Sequence, residues 1–462
     1  MTSYSLDGTW TLTAFPERDS PVRHPDDLVH HAGAAVPAQV PGNVELDLQR
    51  AGRIADPFYA DNIYTLRPYE LYEWWYERTF TPPLDEIPGQ RTELVFHGVD
   101  CIATYWLNGE VLGTSENMFI EHRFDVTGRL RPGEPNTLVV RLGSPVLAAL
   151  RHPFDPSLET WGFGEEKVWV RKAAHSYGWD IMPRALSAGL WRSVELVVHP
   201  ENEITDVYVF TKSLSAGKAT MGLYFEATIE SEQLLDLTVR VTGSCGDSAF
   251  EMTRRVRYSA STVTFDIADP RLWWPAGYGD LPVAGTPAAG APVAGTPVAG
   301  TPADEAALYH ATVQLCVGDT VLAERAVTFG IRTLVLERTD LTSSTEPGEF
   351  LFRVNGSKIL CKGTNWVPAD AFHSRDARRI PAILEMARDL GCNIVRCWGG
   401  GVYEDHAFYD LCDRYGMLVW QDFAMACSRY PQAPEFLDTM RQEALSVVRK
   451  LRNHPSLALW CG

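Results

Sequence analysis

The spacing of apolar residues changes once along these 462 residues, near position 335, and this change limits what the chain can fold into. Before it, short segments such as 93–96, 103–107 and 137–142 alternate apolar with polar residues and are separated by Gly, Pro, Asn and Asp. A period of two predicts half-buried β-strands. After about residue 350, helical spacing alternates with short apolar runs, which predicts α/β structure.

The all-β part is long enough for two sandwiches. A strand at 193–198 precedes the polar segment HPEN (199–202), and a second series of strands starts at 204. Within the first series, the dipeptide Asn108-Gly109 stands between apolar flanks, which is the strongest short signal for a β-hairpin. We therefore predict one β-sandwich over residues 1–199 and a second over 200–335.

One low-complexity segment interrupts the second sandwich. Residues 283–302 are four pentapeptides, VAGTP, AAGAP, VAGTP and VAGTP, so a proline recurs at every fifth position and no side chain can build a core. We predict a solvated insertion in a strand connection, because long surface loops cost little stability. An elastomer-like binding function is the alternative.

The α/β part predicts half of a barrel. The expected elements are strands at 358–365, 393–397, 417–420 and 457–460, and helices at 378–390, 408–412 and 436–451. Successive units of this kind predict a parallel sheet, and strand ends rich in polar and aromatic residues suggest a (β/α)8 TIM barrel, which takes about 250 residues. Only 105 residues lie between 358 and 462. We therefore predict that residues 336–462 are the N-terminal half of a TIM barrel.

The net charge and the spacing of the cysteines argue against several classes of function. The 41 Lys and Arg are outnumbered by 59 Asp and Glu, for a net charge of -18, so neither nucleic acid nor a membrane is an expected partner. The N-terminus has no basic cluster followed by an apolar run, and a soluble, cytoplasmic protein is expected. The nine cysteines form no Cys-x-x-Cys pair, which argues against a disulfide framework and a zinc site.

Aromatic and polar residues gather at the predicted carboxyl ends of the strands, where the active site of a TIM barrel lies. These ends read NW (365–366), RCW (396–398), QD (421–422) and WCG (460–462). An indole can pack on the C–H face of a pyranose while amides and charged groups bind its hydroxyls. A sugar site is therefore predicted, with packing of the tryptophans in the barrel rim as the alternative.

Longer motifs follow one another in the same part: CKGTNWVPAD (361–370), RCWGGGVYE (396–404), VWQDF (419–423) and RNHPSLALWCG (452–462). Upstream stand GTW (8–10), VPGN (40–43), YEWWY (72–76), SYGWD (176–180) and GLWR (189–192). This ordered series resembles glycoside hydrolase family 2, and within it the β-mannosidases, over essentially the whole chain.

The resemblance implies a multidomain fold, an activity and a substrate site. The fold is a jelly-roll β-sandwich, an immunoglobulin-like β-sandwich and a TIM barrel. The activity is that of a retaining exo-glycosidase that releases terminal non-reducing β-D-mannose from β-mannoside oligosaccharides without metal or organic cofactor. In the site, Asp180 binds sugar hydroxyls, Trp179 forms a wall, and Asn365, Trp366 and Trp398 line the same pocket. For Asp180, a turn-capping role is the alternative.

The chain also departs from the family pattern. Residues 181–183 read IMP where many members have Trp-Gly-Pro. The resemblance implies that the two carboxylates that a retaining mechanism requires lie beyond Gly462. No catalytic residue is therefore predicted here, and the chain alone is expected to be inactive. Glu404 and Asp422 are interpreted as supporting or helix-start residues. The alternatives are a non-catalytic or degenerate carbohydrate-binding remnant and another activity of the family, such as exo-β-glucosaminidase.

Overall fold

The computed structural model describes residues 2–82, 90–153, 155–160, 164–229, 231–279, 281 and 305–462, so the Pro-rich repeat at 283–302 lies outside the described residues. The elements of the first unit are β1 (Thr2–Ser5), β2 (Gly8–Pro16), β3 (Val36–Val40), α1 (Val44–Arg50), β4 (Tyr72–Phe80), β5 (Thr92–Phe96), β6 (Ile102–Leu107), β7 (Glu110–Ser115), β8 (His122–Asp125), β9 (Asn136–Gly143), α2 (Pro145–Ala149) and β10 (Val194–Val198). They form two antiparallel sheets, in the orders β1-β10-β5-β8 and β3-β2-β4-β9-β6-β7.

One apolar core lies between the two sheets of the first unit. β5 contributes Leu94 and Phe96 to it, and β9 of the other sheet contributes Val140, all of them fully buried. The predicted hairpin is confirmed between β6 and β7, where Asn108 and Gly109 take positive φ angles of 53° and 84°. Asparagine and glycine tolerate this left-handed conformation, which matches the twist of the two strands.

The second unit has the same construction with fewer strands. Its described strands are β11 (Glu203–Ser215), β12 (Lys218–Thr228), β13 (Leu237–Cys245), β14 (Ser248–Arg255), β15 (Ala260–Ala268), β16 (Tyr309–Val317) and β17 (Thr320–Phe329). The sheets β11-β12-β15 and β14-β13-β16-β17 share one core. The predicted multidomain, mainly β fold is thus confirmed, while the boundaries at 199/200 and 335/336 stay predictions.

The remaining elements are β18 (Leu334–Arg338), β19 (Phe350–Val354), β20 (Ser357–Ile359), β21 (Gly363–Trp366), α3 (Asp376–Asp389), β22 (Ile394–Cys397), α4 (His406–Tyr415), β23 (Leu418–Asp422), α5 (Pro434–Leu451) and β24 (Leu457–Cys461). Strands β21 to β24 form a parallel sheet in chain order, with one helix between each pair of strands, as predicted. Among the described helices, none has the length and apolarity that crossing a bilayer requires.

The single strand predicted at 358–365 is wrong, because the chain changes sheets within it. β20 pairs antiparallel with β19, whereas β21 begins the parallel sheet. The side chain of Asn393 holds the connection: its Nδ2 donates to the Leu360 carbonyl (3.1 Å) and its Oδ1 accepts from the Lys362 N–H (2.8 Å). These bonds replace ladder partners at the point where the strand would otherwise continue.

A buried ion pair joins the first unit to α5. Arg171 donates from Nη2 to Glu443 Oε1 (2.7 Å) and from Nε to Glu443 Oε2 (2.9 Å), and both side chains are almost fully buried. Asn117 Nδ2 donates to the same Oε2 (2.9 Å), and the Tyr403 hydroxyl donates to Oε1 (2.9 Å). A buried carboxylate is stable only with such partners, so this network fixes α5 against the first unit.

Replacing Arg171 with Ala should destabilise the chain by about 3–5 kcal/mol, because it leaves the Glu443 carboxylate buried without its cation. Arg441→Ala is the matched control. Arg441 lies on α5, the helix that carries Glu443, and it pairs with Asp438 at the surface, where ion pairs contribute about 0–1 kcal/mol. Urea unfolding followed by circular dichroism measures both free energies. Equal losses in the two variants would contradict the role given to the buried pair.

Candidate functional site

The structure brings together two of the predicted site residues, Trp179 from the first unit and Trp398 from the end of β22. Their ring centroids lie 5.0 Å apart, and the ring planes are inclined by 58°. Trp179 begins a tight turn, in which its N–H donates to the Met182 carbonyl (3.0 Å). Both tryptophans are half-buried, so each keeps an accessible surface.

Contacts next to these tryptophans explain how the first unit meets the α/β part here. The His175 N–H donates to the Gly400 carbonyl (2.9 Å), and the ring nitrogens Nε2 of His175 and His373 lie 2.8 Å apart. The glycines after Trp398 allow the close approach, because a Cβ on Gly399 would lie 2.5 Å from the Phe423 carbonyl oxygen. Gly399 therefore allows the loop to pack closely against its neighbours.

Polar side chains from neighbouring strand ends lie on the same side of the sheet. Arg396 pairs with Asp422, with Nη2 to Oδ2 at 2.6 Å and Nε to Oδ1 at 3.2 Å. Arg396 Nη1 also lies 3.5 Å from Asn365 Oδ1, and the Gly399 N–H donates to Asp422 Oδ2 (3.2 Å). Asn365 is exposed, so this row presents an amide and a paired guanidinium to solvent.

Trp366 occupies a different environment from Trp398. It is only 6% exposed, and its ring packs on Phe408 of α4 with centroids 4.7 Å apart. Its Nε1 donates to Glu404 Oε1 (2.9 Å). The structure therefore places the Trp366 indole in the core between the sheet and its helices, and a direct role in the site stays a prediction.

Asp180 is exposed beside Trp179. The departure from the family pattern follows it directly, and Met182 has a structural role there: its carbonyl closes the turn, and its Sδ lies 2.8 Å from His175 Nδ1. Met182 thus closes the turn that carries Trp179 and Asp180.

Sequence reasoning missed Lys167. Its side chain is 1% exposed, and its Nζ lies 4.6 Å from the ring centroid of Trp179. The residue belongs to a short 3-10 turn, Glu165–Val168, with two adjacent glutamates, which in sequence is typical of a solvated turn. The burial arises from contacts between distant segments, so the local sequence carries no signal for it.

Glu404 is the second residue whose environment the sequence did not reveal. The sequence indicates a supporting or helix-start residue, and the structure buries Glu404 to 4% exposure just before α4. Burial, with a smaller contribution from the nearby charge of Asp376, raises the pKa of Glu404 to about 7. Between about pH 4.5 and 7, where a free glutamate is mostly ionised, the carboxyl group of Glu404 is therefore mostly protonated.

Glu404→Gln should remove a pH-dependent loss of stability. Between about pH 4.5 and 7 the unfolded chain releases the Glu404 proton and the folded chain retains it, so folding stability falls as pH rises through this window. The variant should match wild type near pH 4 and exceed it by about 3 kcal/mol above pH 7. Urea unfolding across pH, with the exposed Glu435→Gln as control, measures the difference; a difference independent of pH would contradict the assignment.

Comparison with known proteins agrees with these features. Residues 10–192 match a family model described as glycosyl hydrolase 2 galactose-binding domain-like. A β-mannosidase B of Thermothelomyces thermophilus is 33% identical over 444 residues, which cover 92% of this chain and 47% of that protein. A β-mannosidase of Rattus norvegicus is 29% identical over 480 residues, which cover 100% of this chain and 49% of that protein.

A solved structure is similar over the same extent. The crystal structure of a β-D-mannosidase from Dictyoglomus thermophilum aligns with a TM-score of 0.80 at 30% identity, over 100% of this chain and 52% of that one. The chain therefore spans about half the length of the relatives that it matches. These matches confirm the resemblance found in the sequence: residues 10–192 match the glycosyl hydrolase 2 family model, and the relatives that the chain matches are named β-mannosidases.

Proposed function

We propose that these residues form the substrate-recognition half of a β-mannosidase-type site, which binds a terminal non-reducing β-D-mannose residue. The observation that carries the proposal is the pairing of Trp179 with Trp398 at 5.0 Å across two units of the chain. Two inclined indoles make an aromatic corner, and a pyranose can place a C–H face on it. The names of the similar proteins support mannose as the sugar.

Polar groups around this corner suit the hydroxyls of a sugar. Asp180 lies beside Trp179, and the exposed amide of Asn365 lies next to the Arg396 guanidinium on the strand-end side. Together they offer carboxylate acceptors, amide donors and acceptors, and guanidinium donors, which is the complement that a ring of hydroxyls requires. Asp180 is free to accept sugar hydroxyls because its side chain is exposed.

The parallel sheet suggests where the chemistry of the complete site would lie. We infer that its four strands are the first half of a (β/α)8 barrel and that Trp398 stands at the catalytic face, which such barrels form at the carboxyl ends of their strands. The two units before it correspond in this proposal to the jelly-roll and immunoglobulin-like domains of the family, with boundaries near 199 and 335.

Hydrolysis with retention needs two carboxyl groups about 5–5.5 Å apart, one as acid/base and one as nucleophile. Two acidic groups that follow strands β22 and β23 have other partners: Asp422 is paired with Arg396, and Glu404 is buried and accepts from Trp366. A nucleophile must reach the anomeric carbon, and the partners that Asp422 and Glu404 have here favour supporting roles for both. We therefore propose that neither catalytic carboxylate is among the residues that the structure describes.

Trp398→Ala and Asp180→Ala should each lower kcat/KM by at least ~10²-fold in a form of the protein that carries both carboxylates, because each removes a contact that orients the sugar. An aryl β-mannoside serves as the substrate. Tyr258→Ala, which removes an aromatic ring that is 70% exposed on the second unit, is the control. Full activity of either site variant would remove that residue from the proposed site.

A polypeptide of these 462 residues alone should show no hydrolysis of p-nitrophenyl β-D-mannoside above background, because a double displacement lacks both its acid and its nucleophile. Purity is checked by mass spectrometry. Clear turnover by the verified polypeptide would overturn the assignment of the carboxylates. In a form that carries both carboxylates, preference for p-nitrophenyl β-D-glucosaminide over the mannoside would favour an exo-β-glucosaminidase.

A further inference from the structure

We infer that Lys167 is a ligand-binding residue of the tryptophan corner, whose ammonium donates hydrogen bonds to an oxygen of the bound saccharide. The inference rests on the proposed function and extends it to a residue outside the motifs of the family resemblance. Its basis is a buried cation that has no hydrogen-bond partner in the described structure and that lies beside the proposed sugar site.

The unmet hydrogen-bonding capacity of Lys167 is the first observation. The side chain is 1% exposed, and Nζ is fully buried without a hydrogen-bond partner among the described residues. A lysine ammonium carries three donors, and buried donors are ordinarily satisfied. Burial also lowers the pKa of Lys167, as expected for a cation without a carboxylate beside it.

The position of the ammonium is the second observation. Nζ lies 4.6 Å from the ring centroid of Trp179, and Trp179 lies 5.0 Å from Trp398. The π face of Trp179 attracts the cation but accepts no conventional hydrogen bond, so the three N–H donors stay available. One face of the Trp179 indole is thereby covered, so in this inference the sugar ring packs mainly on Trp398.

The backbone that carries Lys167 is held in place. Its neighbour Val168 is fully buried, and Glu166 on the other side pairs with Arg184, whose guanidinium also binds Glu70. The turn that carries Lys167 is therefore fixed on both sides, which keeps the base of the side chain next to the corner. A preorganised donor of this kind strengthens binding because little freedom is lost when the ligand arrives.

The chemistry of an ammonium defines what it can recognise. It donates and does not accept, so its partner on the ligand is an oxygen acceptor, such as a hydroxyl or the ring oxygen of a saccharide. Asp180, which only accepts when ionised, lies next to Trp179. Lys167 thus supplies hydrogen-bond donors and Asp180 supplies acceptors at the same corner. Together they orient a sugar ring, whose hydroxyls both donate and accept.

The test compares saccharide binding and thermal stability in the 462-residue chain. Lys167→Met keeps the length of the side chain and removes the donors, so the affinity for β-1,4-mannobiose, measured by calorimetry, should fall at least ~10-fold. The melting temperature without ligand should stay unchanged or rise, because an unpaired buried cation is removed. Lys167→Arg, which retains N–H donors, should recover part of the affinity.

The controls separate this inference from the proposed function. Lys358→Met removes a lysine that is half-exposed and paired with Glu349, and it should leave binding unchanged. If wild type binds mannobiose, Trp398→Ala abolishes binding and Lys167→Met binds as wild type does, the inference is overturned and the proposed function stands. If wild type binds no saccharide, both are overturned. A lower melting temperature with unchanged affinity would make Lys167 a purely structural residue.

Discussion

The pairing of Arg171 with Glu443 is the interaction on which the arrangement of the units depends. Neither charge could be buried alone, and both oxygens of the carboxylate bind donors from the first unit or from the loop after β22. Arg171 also donates to the Ala424 carbonyl (2.9 Å), beyond the end of β23. Because Trp179 lies eight residues after Arg171, the ion pair sets where that loop meets the parallel sheet.

The second unit is fixed by the segment between α5 and β24. Asn453 accepts from the Val209 N–H (3.0 Å) and donates to the Val207 carbonyl (2.7 Å), so its amide pairs with β11 as a strand would. Arg332 donates to the Pro455 carbonyl, and His454 binds the buried Asp413 (2.6 Å). A motif that identifies the family in sequence is thus, in this fold, a junction between two units.

The three helices of the α/β part and the strands β22 to β24 were predictable because each satisfies its own period, as α3 and α4 do. The features that could not be predicted from the sequence are those that depend on contacts between distant segments of the chain. The break between β20 and β21 is made by Asn393, about thirty residues later, and the burial of Lys167 follows from the docking of a loop. Trp179 and Trp398 were predicted for one site through family resemblance, since nothing local connects them.

The different positions of Trp366 and Trp398 follow from the geometry of a strand. Successive side chains point to opposite faces, so Asn365 and Trp366 cannot face the same side of the sheet. In the parallel register, Asn365 is aligned with Arg396 while Trp366 is aligned with Cys397, which is buried against the helices. Trp398 escapes this alternation because it stands just past the end of β22. An aromatic residue at a strand end can therefore contact a ligand in two positions: on the face of the sheet that carries Asn365, or beyond the last paired residue of the strand. An aromatic residue that is still paired and lies on the opposite face, as Trp366 does, becomes part of the core.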